Sequence, residues 1–138
     1  MSNLTSAIER SRPSSFLRLV LLADAAASGA TGLLVLIGGG FLEGLLGVPA
    51  TLLREAGLIL LPYVAFVAYI GTRESLVRPA IWAIIICNAL WAGASFLLVM
   101  GQWIAPTALG YAFVIGQALI VALLAGLQYL GLQRQIFA

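Results

Sequence analysis

The sequence predicts an all-α membrane domain, a transmembrane four-helix bundle made of two tandem helical hairpins related as parallel repeats. Three observations carry that prediction. Of 138 residues, 62% are hydrophobic and only 9% charged, with mean hydropathy +1.10, whereas a soluble domain carries about 25% charged residues to face water. Four apolar runs each come close to the roughly 20 residues a bilayer requires. A block in the first run, residues 23–35, recurs in the third at 87–99.

Residues 1–15 are polar and are expected to form a short, mobile cytoplasmic tail, leaving 16–138 as one membrane domain. The first span runs from Phe16 to about Gly40. Its start, with Arg10, Arg12 and Arg18 ahead of LVLLA, looks like a signal peptide, but the apolar run continues well past any cleavage point. The second span is expected from Pro49 to Gly71. Proline suits the first turn of a helix, where its missing N–H would have no partner anyway. After the loop TRESLVR, a third span covers Pro79 to Gly101, and a fourth runs from about Thr107 to Leu132. Hairpin one thus covers about 16–73 and hairpin two about 79–134. The Gly-rich stretch 38–49 follows a membrane helix and lacks a lysine, so it reads as a half-buried interfacial segment rather than a phosphate loop.

Orientation follows from the arginines. Six of the seven (10, 12, 18, 73, 78 and 134) fall on the side of the termini and the middle loop, and only Arg54 falls on the other. The positive-inside rule then predicts a multi-pass protein of the bacterial inner membrane with cytoplasmic N and C termini.

Sliding the chain by 64 residues places ADAAASGATGLLV on CNALWAGASFLLV, with Ala25 on Ala89, Gly29 on Gly93, Thr31 on Ser95 and Asp24 on Asn88. The second helices align less well, at a shift of 61. Both units would cross the membrane in the same sense, which makes the repeat parallel, with a pseudo-two-fold axis along the membrane normal.

An ionisable group deep in a bilayer costs about 2.5–3.5 kcal/mol on insertion scales, so intramembrane polar residues are the candidates for function. Asp24 is followed by Ser28 and Thr31 on one helix face. The corresponding face of the third span holds Asn88, Trp91 and Ser95. The fourth span carries Thr107, Gly110, Gln117 and Gln128 on one stripe. Candidate ligand- or proton-binding residues are therefore Asp24, Asn88, Gln117, Ser28, Thr31 and Trp91. Small residues with interhelical amide and hydroxyl bonds also suffice as plain structural glue, which is the other reading of Asn88, Ser28, Thr31, Ser95 and Gln117 and the expected role of Gln128. Asp24 has two open readings, a structural hydrogen-bonding acid or a binding site, with Arg73 or Arg78 as expected counter-charges. Arg54 and Glu55 are a candidate interfacial ion pair.

The chain contains no His and no Lys. This removes the usual haem ligand and the retinal or pyridoxal Schiff base, so neither a cofactor nor a metal is expected. The single Cys87 reads as a small buried hydrophobe, and no nucleophile has a base at recognisable spacing, so no catalytic residue is expected and the protein is read as no enzyme. The arginines flank apolar runs instead of forming a basic stripe, which argues against nucleic acid.

The blocks LLADAAASGATGLLVL (21–36), LLGVPATLLREAGLILLPY (45–63) and NALWAGASFLLVMGQWIAPTALGYAFVIGQA (88–118) together resemble a group of small, uncharacterised four-span bacterial inner-membrane proteins. The resemblance implies fold and location, and no activity. Three functions are compatible with these readings. The first is a non-enzymatic accessory or interaction subunit that forms a homo-oligomer or joins a larger membrane complex. The second is a small proton- or cation-coupled transporter or channel with Asp24 as the titrating site. The third is a lipid- or quinone-binding protein using Trp91, Asn88 and Gln117 between the hairpins.

Overall fold

The computed structural model describes residues 10–11 and 15–134, and within them the protein is helical. Helix α1 spans Ser15–Ile37, α2 Gly39–Leu46, α3 Ala50–Gly71, α4 Arg78–Met100 and α5 Ala108–Arg134. Four of the five (α1, α3, α4 and α5) are long and apolar enough to cross a membrane. The protein is thus a multi-pass integral membrane protein, and its many exposed leucines and isoleucines, Leu19, Ile37, Leu90 and Leu97 among them, face lipid.

The predicted spans and the helices agree closely, because bilayer thickness sets the length of an apolar run. Pro49 sits just before α3 and Pro79 within the first turn of α4. The Gly-rich stretch contributes α2, a two-turn helix that buries Gly39, Leu42 and Leu46 and stops at Gly47 in the left-handed region, φ 71°. Most of the tail expected over 1–15 lies outside the described residues, but Arg10–Ser11 forms an antiparallel two-residue pairing with Leu76–Val77 of the middle loop (β1 with β2).

The helices pack as two pairs, α1 with α3 and α4 with α5. Small residues let α1 and α3 come close. A side chain at Gly57 would press into the Gly32 carbonyl oxygen at 2.7 Å and the Leu36 Cβ at 2.9 Å, and one at Gly32 would meet Leu60 at 3.2 Å. Hairpin two is built differently. Gly93 has open space where a side chain would stand, as do Gly116 and Gly126, whereas a side chain at Gly29 would meet Val64 at 3.4 Å.

Contacts fix which ends lie together. Arg18 donates to the carbonyls of Gly71 (2.7 Å) and Arg73 (2.8 Å), capping the end of α3 from the start of α1. Gly131 packs on Leu17 and Phe16. The start of α1, the loop 72–77 and the end of α5 therefore share one side of the molecule. At the other side, Thr107 ties α2 to α5: its N–H donates to Leu46 O and its hydroxyl to Leu45 O, while its Oγ1 accepts from the N–H of Gly110 as the N-cap of α5.

Each side has its own apolar core. One gathers Leu17, Leu21, Val67, Ile70, Ile81 and Ile84, and the other gathers Val35, Leu42, Leu46, Leu53 and Val114. The space between them holds the polar residues.

Candidate functional site

All four long helices deliver a polar side chain to one buried point. Asp24 and Ser28 come from α1, Tyr63 from α3, Asn88 from α4 and Gln128 from α5. At 1.5 Å per residue, Asp24, Tyr63, Asn88 and Gln128 lie about 9–15 Å along their helices from the arginine-bearing side. Asp24 and Gln128 have no exposed surface, and Asn88 and Ser28 are buried.

The Asp24 carboxyl is the hub. Ser28 Oγ donates to Oδ1 at 2.9 Å, while Asn88 Nδ2 at 3.0 Å and Gln128 Nε2 at 2.8 Å donate to Oδ2. Tyr63 Oη lies 2.7 Å from the same Oδ2 and 2.8 Å from Asn88 Oδ1, and Asn88 Nδ2 also donates to Gln128 Oε1 at 2.9 Å. No buried side-chain nitrogen or oxygen among the described residues lacks a partner, as a group removed from both water and headgroups requires.

The expected arginine counter-charge is corrected by this geometry. Every partner of Asp24 is neutral. Arg73 lies over the Tyr69 ring, 4.9 Å from its centroid, and neither it nor Arg78 is a partner of Asp24. Hydrogen bonds from hydroxyls and amides replace an ion pair.

A second cluster sits nearer the Arg54 side. Trp91 Nε1 donates to Gln117 Oε1 at 2.9 Å, Gln117 Nε2 donates to Ser95 Oγ at 2.9 Å, and Ser95 Oγ donates to the Trp91 carbonyl at 2.8 Å. This cluster lies wholly within hairpin two, whereas the Asp24 cluster joins both hairpins.

Between the clusters runs an apolar cleft. Its larger part, of ≈ 440 Å³, is walled by Ser28, Thr31, Tyr63, Asn88, Trp91 and Gln117 with apolar neighbours. A smaller part of ≈ 300 Å³ continues toward Val48, Leu52 and Glu55. The two share Thr31, Ile59, Leu60, Trp91, Ala94 and Gln117, so they are one elongated groove. Ile59 on α3 and Leu90 on α4 line it and are exposed. The groove thus opens sideways where α3 and α4 make only slight contact. Cys87, expected to be buried, is exposed on its wall.

Comparison with family models, with curated proteins and with solved structures finds no match, so the reading of the site rests on its own geometry.

The predicted site residues separate into three places. Asp24, Ser28 and Asn88 meet in the first cluster, Trp91 and Gln117 in the second, and Thr31 stands on the cleft wall between them. Arg54 and Glu55 are both exposed. No ion pair joins them among the described residues, since neighbours in a helix point about 100° apart. Two members were not singled out by the sequence. Gln128 is expected from the sequence only as structural glue, and nothing in the spacing of polar residues marks Tyr63. Its signal was depth, because membrane tyrosines gather at the interface, and Tyr63 lies eight residues inside the end of α3, next to Pro62.

Proposed function

We propose that this is a non-enzymatic protein of the bacterial inner membrane that holds the apolar chain of a bilayer-resident ligand, a lipid tail or the tail of a quinone, in the cleft between its hairpins. One observation carries the reading: an elongated, mostly apolar groove open to the side, within the size range of small-molecule sites. A chain entering between α3 and α4 would leave one apolar surface for another, so the gain is shape-fitting contact rather than escape from water. Ser28, Tyr63, Asn88, Trp91 and Gln117 on the wall are hydrogen-bonded within the protein, which suits an apolar chain better than a charged head along that stretch.

The bundle reading and the tandem duplication are supported by the contact between Asp24 and Asn88, repeat counterparts 64 residues apart. Cytoplasmic termini are supported by the gathering of Arg18, Arg73, Arg78 and Arg134 at one side.

The test is native mass spectrometry from mild detergent. Ala94 lines both parts of the groove, and Ala94→Phe fills it from the wall. The wild-type protein is expected to retain a lipid or quinone that Ala94→Phe loses. No retention, or equal retention by both, contradicts the proposal.

A second reading, an accessory subunit that packs on itself or a larger complex, is favoured by the open space at Gly93, Gly116 and Gly126 of hairpin two, since small residues line close helix contacts in membranes. A Gly93→Leu, Gly126→Leu variant with unchanged oligomeric state in lipid would remove that support.

A further inference from the structure

Six contacts join Asp24, Ser28, Tyr63, Asn88 and Gln128, and each needs one hydrogen between its two heavy atoms. Ser28 supplies one to Asp24, Asn88 supplies two, to Asp24 and Gln128, and Gln128 supplies one to Asp24. Tyr63 has a single hydroxyl hydrogen, yet its oxygen stands 2.7 Å from Asp24 Oδ2 and 2.8 Å from Asn88 Oδ1. The cluster is one hydrogen short. Turning over the Asn88 amide, the Gln128 amide or both does not help, because each change sets further like atoms against one another.

We propose that Asp24, Tyr63 and Asn88 form a one-proton relay. When Asp24 carries a proton on Oδ2, it donates to Tyr63 Oη, Tyr63 donates to Asn88 Oδ1, and all six contacts are filled. When the proton passes out of the cluster to water, the Tyr63 hydroxyl turns to donate to Asp24, and Asn88 Oδ1 loses its donor. Gain or loss of one proton therefore reverses the Tyr63 hydroxyl. No redox step or covalent bond is involved.

Among the described residues, no charged side chain bonds to Asp24 or to its partners in the cluster. α3 presents Tyr63, α4 presents Asn88 with Cys87 beside it, and α5 presents Gln128, while its neighbour Tyr129 packs on Trp82 at 5.7 Å. On α1 itself, Arg18 is committed to the carbonyls of Gly71 and Arg73. Tyr63 and Asn88 also line the cleft, but the relay requires no ligand there and stands apart from the proposal about that cleft.

Asp24 is the only aspartate in the chain, so a carbon-13 label on the aspartate carboxyl reports it alone. Magnetic resonance of the full chain in lipid, labelled also at the tyrosine ζ carbon and assigned with Tyr63→Phe, is titrated from acid to alkaline pH. The expected result is one step in the Asp24 signal, a Tyr63 step at the same midpoint, and loss of that Tyr63 step in Asp24→Asn. A Tyr63 signal that stays still while Asp24 titrates, or an Asp24 signal with no step, overturns the relay.

Discussion

Asn88 donates its side-chain amide to the Asp24 carboxyl across 3.0 Å, linking α4 to α1 between residues 64 positions apart. The acid of one half is held by the amide of the other. Because the same amide also donates to Gln128 at 2.9 Å, the contact between α1 and α4 draws α5 into one buried unit.

Removing one arm of this unit costs stability without emptying it. Gln128→Leu deletes two hydrogen bonds. Such bonds average about 0.6 kcal/mol each in membranes, with about 1.7 as an upper value. The expected loss is about 1–2 kcal/mol, read by reversible unfolding in mixed micelles. An unchanged or raised stability would mean that Gln128 is not engaged as described.

The glycines of the two hairpins answer differently to a methyl group. At Gly57 it would collide with the Gly32 carbonyl and Leu36, so Gly57→Ala is expected to cost about 1–3 kcal/mol through overpacking. At Gly93 nothing lies nearby, and Gly93→Ala is expected to stay within about 0.5 kcal/mol of wild type. Thermal denaturation of both variants, side by side, checks the contrast.

The link between α2 and α5 is a third target. Thr107→Val removes both the N-cap of α5 and the bond to Leu45 O and is expected to cost about 1 kcal/mol, with Thr107→Ser restoring most of it. Gly110→Ala is expected to be worse, because its methyl would run into the Leu46 carbonyl. Hydrogen exchange at the N–H of Thr107 should quicken in both Thr107→Val and Gly110→Ala. Protection equal to wild type would count against this link.

The helices were legible because a bilayer fixes both the length and the composition of a span, and prolines 49 and 79 marked two starts. Asp24, Ser28 and Asn88 were legible because polar groups in a bilayer are expensive and must find partners. Tyr63 was not, since an aromatic with a polar tip is ordinary at the membrane boundary, and only its depth in α3 sets it apart. Gln128 shares a stripe with Gln117, but three helical turns separate them, and each serves a different cluster. Sequence order could not show that Arg18 would be spent on the end of α3, or that amides and hydroxyls would replace a charge at Asp24.

The central claim is that the groove takes an apolar chain from the bilayer. Trp91 stands on its wall, so with Trp82 and Trp103 replaced by phenylalanine its fluorescence reports contact with lipid tails. In bilayers of lipids brominated along the acyl chain, strong quenching of Trp91 is predicted, and Ala94→Phe, by filling the groove, should remove most of it. Quenching that is weak in the starting protein, or the same in Ala94→Phe, would contradict the account.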